Sequence, residues 1–184
     1  MMEQLINRVK QDPGIRAEFG DLFTEREIPS HTVLLREGEI ATQVYFISKG
    51  CLRMWFNKDG KDITTQFFFE DQPVASIESF STGHPSLFTL ESIEPSTIQS
   101  LSKENFDLLH QRYPEFRNAF QEIMLQRFRN YNQLFLSRIR DTPRERYDDI
   151  LANHPEIIQR VPQHYIASYL GITPISLSRI RNRK

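Results

Sequence analysis

The stretch HYIASYLGITPISLSRIRNRK, residues 164–184, has four basic residues among its last six. Ser176, Ser178, Arg179, Arg181, Asn182, Arg183 and Lys184 offer hydroxyl, amide and cationic groups, and no acid follows Glu156. Arg can pair with the O6 and N7 of guanine, and Arg or Lys neutralises phosphate, so this mixture has the chemistry of a duplex DNA reader. A merely solvated helix face mixes charge signs. Residues 141–184 carry 7 Lys+Arg against 5 Asp+Glu, residues 1–140 carry 16 against 19, and the net charge is −1. Polyanion contact is therefore expected at the C-terminal end and not over the whole surface.

Other chemistries find few parts. Cys51 is the single cysteine, which excludes an internal disulfide, a thiolate zinc site and a four-cysteine iron–sulfur cluster. A lone Cys is read as a small core residue. His31, His84, His110, His154 and His164 are scattered, with no His-x-His or His-x3-His pair. An enzyme on a β-roll would need such a pair with a carboxylate, and the strand-rich region offers only His31 and His84. With no nucleophile–base spacing and no Gly-rich phosphate loop, neither catalysis nor a cofactor is expected. No apolar run nears the ~20 residues of a membrane span. The charged start MMEQLINRVKQDPG lacks a signal-peptide core, so a cytoplasmic protein is expected.

A DNA-reading helix must be held by another across a tight turn. That demands a small residue at the helix crossing, a Gly where φ turns positive, and apolar residues towards a core. With Gly171 as the turn glycine, Ala167 is the small contact residue. Ile166, Leu170, Ile172, Leu177 and Ile180 face the core. Thr173 is an N-cap and Pro174 the first helical residue. The second helix then presents Ser176 and Arg179 to base edges, while Arg181, Arg183 and Lys184 meet phosphate. Gln163 or His164, opening the first helix, reaches the backbone. An ordinary αα-hairpin has the same packing, and the one-signed exposed face favours DNA over it.

Upstream, from about Ile28 to Leu101, short apolar stretches alternate with turn signals, the pattern of an antiparallel β unit. HTVLLREGE, QVYFISKG, CLRMWF, ITTQFFF, PSLFTLESIE and STIQSL are strand candidates. Asp59-Gly60 supplies a hairpin turn. Six to eight such strands fit a sandwich or jelly roll. Ser102 caps a helix that Pro114 stops, and a helix of ~26 residues, ~39 Å long, follows over 115–140 with an apolar stripe. Its length exceeds what capping a small β domain needs. Phe120, Ile123, Arg127, Tyr131 and Leu134 are candidate contacts with the same helix of a second copy. Asp141-Thr142 is a candidate hinge, with Pro143 opening the next helix. The expected class is α+β. It comprises a jelly-roll sensor domain with flanking helices (1–114), a dimerisation helix (115–140) and a helix-turn-helix domain (141–184).

A β-roll, a long helix and a C-terminal helix-turn-helix together resemble the Crp/Fnr family of bacterial transcription regulators. REGEIATQVYFISKGCLRMW is similar to the family's Gly-Glu, Val-Tyr-Phe-Ile and glycine-turn run. YIASYLGITPISLSRIR is similar to its helix-turn-helix, with Arg179 at the basic recognition position. The resemblance implies a homodimer on a roughly palindromic operator in double-stranded DNA, with RNA polymerase as a further partner. Family members that bind cyclic nucleotides carry Gly-Glu and Arg-Ser or Arg-Thr. Here Ala75-Ser76 and Ser86-Leu87 stand at those places, and no Lys or Arg occurs between Lys61 and Lys103. A cyclic phosphate would lack its cation. The expected effector is another, more apolar molecule in the pocket at Ala75, Ser76, Ser86 and Leu87, or none. Heme and iron–sulfur branches lack their ligands here. Pro174-Ile175 replaces the family's Arg-Glu, which changes base reading and brings Ile175 towards a thymine methyl, and the family's β-hairpin wing has no counterpart before Lys184. A β-roll signalling module that has lost DNA binding is the alternative.

Overall fold

A computed structural model describes residues 11, 13, 14 and 22–182. Eight strands and seven helices follow one another among them: β1 Phe23–Ile28, β2 Val33–Leu35, β3 Gln43–Lys49, β4 Leu52–Lys58, β5 Lys61–Phe68, β6 Pro73–Val74, α1 Ile77–Thr82, β7 Thr89–Ser92, β8 Ser96–Ser102, α2 Lys103–Arg112, α3 Pro114–Arg140, α4 Pro143–Asn153, α5 Pro155–Arg160, α6 Gln163–Leu170 and α7 Pro174–Asn182. The class is α+β, as the strand and helix patterns imply.

Two four-stranded sheets, ordered β1-β8-β3-β6 and β2-β7-β4-β5, make the roll. β8 is sandwiched between antiparallel partners, so Leu101 lies opposite both Phe23 and Val44. Val44, Leu52, Leu90, Ile98 and Leu101 are buried in one core with Phe68 and Val74. The β4–β5 connection is a two-residue turn in which Asp59 and Gly60 both have positive φ (53° and 78°), and Asn57 Oδ1 accepts the Gly60 N–H at 3.1 Å. That is the turn whose twist suits a hairpin. At Gly50, φ is 112° and a Cβ would stand 2.1 Å from Ser96 Oγ, so only glycine fits.

β1 begins five residues before the strand region foreseen from the sequence. Four of its six residues are exposed, and its FTEREI sequence shows too few apolar positions to mark a strand. Helix boundaries follow local chemistry more closely. Ser102 accepts the Asn105 N–H at the start of α2. Thr142 and Glu145 form a reciprocal capping box at α4, with Pro143 in the first turn. Pro114 starts α3 rather than only ending α2, because its missing N–H would be unpaired in a first turn anyway.

The described chain divides into two compact units. The second comprises Trp55–Phe67 and everything described from Met124 onward, and the first comprises the rest. In the first unit Phe116 is buried, and Ala119, Phe120 and Ile123 pack on the same core, where Phe106 meets Phe116 and Phe120 edge to face. In the second, Ile150, Ile157, Val161, Ile166, Ala167, Leu170 and Leu177 are buried. No described helix is long and apolar enough to cross a membrane.

Candidate nucleic-acid interface and sensor pocket

α6 and α7 are joined by Gly171, Ile172 and Thr173. Gly171 has φ 70°, its N–H donates to the Ser168 carbonyl, and the Ile172 N–H donates to the Ala167 carbonyl at 2.9 Å. This double closure ends α6 and turns the chain at once into α7. Thr173 Oγ1 accepts the Ser176 N–H at 3.1 Å, capping α7, and Pro174 follows it. Ala167 is buried together with Ile166, Leu170 and Leu177, as a close helix crossing demands.

Arginines hold this pair of helices in place. Arg146 donates to the Leu170 carbonyl at 3.0 Å and to the Asp141 carbonyl at 2.6 Å. Arg138 donates to the Tyr169 carbonyl at 2.8 Å, and Arg144 to the Ile180 carbonyl at 3.0 Å. Cations at helix C-termini satisfy carbonyls that the helix leaves open. Ser168 Oγ bonds instead to the β5 backbone, accepting from Thr64 N–H at 2.9 Å and donating to the Asp62 carbonyl at 2.8 Å. Tyr169 packs on Phe67, with ring centroids 5.2 Å apart. Burial raises the Tyr169 hydroxyl above its ordinary range, against the opposing charge of Arg138.

The residues on the outer side of α7 are Ile175, Ser178, Arg179 and Asn182, spaced by three and four and all exposed. Arg181 is exposed beside them. Ser176 differs from its sequence assignment: it is half-buried, and its hydroxyl lies 3.0 Å from Thr173 Oγ1, where it serves the cap. Gln163 is exposed at the first position of α6. Arg183 and Lys184 lie outside the described residues.

The sensor positions have the opposite character. Ala75, Ser76 and Ser86 are buried, Ser86 being 2% exposed, whereas Leu87 is 60% exposed and does not line the interior. The Ser76 and Ser86 hydroxyls are hydrogen-bonded to each other at 2.9 Å. Ser86 Oγ also pairs with the Phe88 carbonyl at 2.7 Å and accepts the Phe88 N–H at 3.1 Å. Its backbone is bonded both ways to the preceding turn, through Gly38 N–H and the Glu39 carbonyl. Among the described residues, the buried cation in the roll is Arg53, a residue the sequence did not single out. It donates to Glu91 Oε2 at 2.9 Å, and Glu91 also faces His31 at 3.2 Å. The two hydroxyls are closed on each other, and neither position supplies the cation that a buried cyclic phosphate would need.

Along α3, Leu125, Phe128, Tyr131, Phe135, Leu136 and Ile139 are large, apolar and exposed, Phe128 by 63%. Their three- and four-residue steps make one arc. Of the sequence-stated contacts, Tyr131 belongs to this arc. Phe120 and Ile123 are committed to their own unit's core, and Arg127 and Leu134 are half-buried on the other side. Both sides of α3 are apolar, so periodicity alone could not tell them apart. Burial pushes the Arg127 guanidinium down to about 10, still charged at neutral pH.

Residues 25–113 match the family described as the cyclic nucleotide-binding domain. Over that stretch, a little under half of its length, the chain is similar to the cyclic nucleotide-binding domain. Around that domain, its architecture is shared with Crp/Fnr regulators of known structure. FixK2 from Bradyrhizobium japonicum superposes with a TM-score of 0.74 at 18% identity, over 88% of this chain and 83% of that one. The c-di-GMP-responsive global regulator CLP of Xanthomonas campestris gives 0.71 at 18% identity, over 92% and 89%. A candidate Crp/Fnr-family transcriptional regulator from Eubacterium rectale gives 0.75 at 16% identity, over 96% and 83%. At these identities the likeness establishes the fold. None of the curated proteins compared matches the sequence.

Proposed function

We propose that this protein is a cytoplasmic DNA-binding transcription regulator of the Crp/Fnr type, acting as a homodimer on a roughly palindromic operator, with α7 in the major groove. The observation that carries the reading is the outer face of α7. It is exposed, held on a capped helix-turn-helix, supplied with Arg179 and Arg181, and free of acids. Arg179, one turn into the helix, is the base reader. Arg181 and Gln163 meet the phosphate backbone, and Arg183 and Lys184 extend the cationic end. The apolar arc of α3 from Leu125 to Ile139 supports pairing with a second copy, which brings two recognition helices to two half-sites. The Ser76–Ser86 closure supports a sensor that does not answer to cyclic AMP. Its effector is a less charged molecule, or control lies in abundance or a protein partner such as RNA polymerase.

Selection of bound duplexes from a random DNA library by the full-length protein tests this. A two-fold related motif is expected, with affinity that falls as salt rises and a slope reduced by about 1 in Arg181→Ala. A library from which no sequence is enriched would refute DNA recognition and leave a β-roll signalling module.

A further inference from the structure

Ile175 stands out on the recognition face. It is 66% exposed at the second position of α7, between Pro174 and the half-buried Ser176. Single exposed apolar side chains are ordinary on protein surfaces, so its exposure alone means little. Its position means more. The core-facing places of α7 are filled by the buried Leu177 and the half-buried Ile180, so packing makes no demand on residue 175. Helix formation makes none either: Ile is a middling helix former, and a first turn favours acids.

The ligand chemistry supplies a use. In the major groove, base pairs display donors, acceptors and one apolar group, the 5-methyl of thymine. A helix that enters by its N-terminal end brings its second residue to a base edge. Ile175 and Arg179 are four residues apart on the same side, about 6 Å along the axis at 1.5 Å per residue. That distance spans about two base steps at 3.4 Å each.

Building on the DNA-binding reading above, we infer that Ile175 is a specificity-determining residue that recognises a thymine methyl in each half-site, about two base steps from the pair read by Arg179. The contact discriminates thymine from cytosine by shape and desolvation, without a hydrogen bond from the side chain.

The test uses the operator selected by the full-length protein. Each thymine is replaced in turn by deoxyuridine, which removes only the 5-methyl, and binding is measured for the wild type, Ile175→Ala and Ile175→Val. One replacement per half-site is expected to weaken wild-type binding about fourfold, the factor for one buried methyl-sized group. Ile175→Ala should bind the unmodified operator more weakly and be indifferent to that same replacement, with an unchanged melting temperature, while Ile175→Val should still feel it. If no deoxyuridine weakens the wild type, or if Ile175→Ala loses as much as the wild type at every position, the assignment is wrong. A selection that enriches no sequence defeats the DNA-binding reading itself, and is thereby distinguished from failure of the Ile175 contact.

Discussion

Two groups of polar side chains in this molecule are built on opposite plans. In the β-roll, the Ser76 and Ser86 hydroxyls, the Phe88 peptide and the Gly38–Glu39 turn satisfy one another in a buried cluster. On α7, Ser178, Arg179 and Asn182 stand in solvent, while the nearby hydroxyls of Thr173 and Ser176 serve the cap. Burial obliges polar groups to find partners at home, and the low-dielectric interior makes an unmet one expensive. Exposure releases them for a partner molecule. By this contrast Ser76 and Ser86 spend their hydroxyls within the fold, and the outer face of α7 keeps its polar groups available to a partner.

The largest experimental effect should come from neither region. Phe128→Glu combined with Phe135→Glu places charge on the exposed arc of α3. It should give monomers by sedimentation, with a loss of operator affinity of about 10²–10⁴-fold from lost bivalency. A variant that stays dimeric would remove α3 as the seam. Next, Arg179→Ala should cost about 1–3 kcal/mol at the operator and relax one base position while leaving the melting temperature unchanged. Ser86→Val should do the reverse. It removes the hydroxyl to which Ser76 Oγ and the Phe88 N–H are bonded, costing about 1–3 kcal/mol of stability, while the folded fraction binds DNA normally. If both substitutions moved both readouts, the division of labour would collapse.

Smaller effects follow at the caps. Thr173→Ala should lose about 1 kcal/mol of stability by chemical denaturation. Glu145 accepts the Thr142 N–H, a hydrogen bond that leads its pKa below the ordinary 4.5. A carboxylate depressed in the folded state contributes stability present above its unfolded value and lost as the pH falls through the folded one. Glu145→Gln should therefore flatten part of the stability loss seen by circular dichroism on acidification below 4.5. The smallest expected effect is nil: cyclic AMP should leave the melting curve unmoved. A ligand at 100 times its dissociation constant would add about 2.7 kcal/mol, so a clear upward shift would show the sensor to be open to the nucleotide after all.

The sequence carried those features whose causes are local. The hairpin turn at Asp59-Gly60, the caps at Ser102 and Thr173, and the Gly171 turn each rest on a few neighbouring residues, and all stand in the structure. What it did not carry is non-local. Arg53 and Glu91 are 38 residues apart, and nothing near either announces a buried ion pair. Ser86 could be matched to a family position, but its bond to Ser76 joins residues ten apart that no local pattern pairs. β1 escaped because a strand with one partner and mostly exposed residues needs no alternation of apolar side chains. Ser176 and Ile175 are adjacent, and only the helix's actual rotation showed which of the two looks outward.

The bonds of Ser168 have a further consequence. β5 closes its sheet as an edge strand, and an open edge is a template on which another chain can add a strand. Ser168 occupies the Thr64 N–H and the Asp62 carbonyl of that edge, and Tyr169 covers Phe67 next to it. α6 therefore covers an edge on which another chain could otherwise add a strand. A β-roll cut free of the C-terminal helices would bare this strand and tend towards edge-to-edge oligomers.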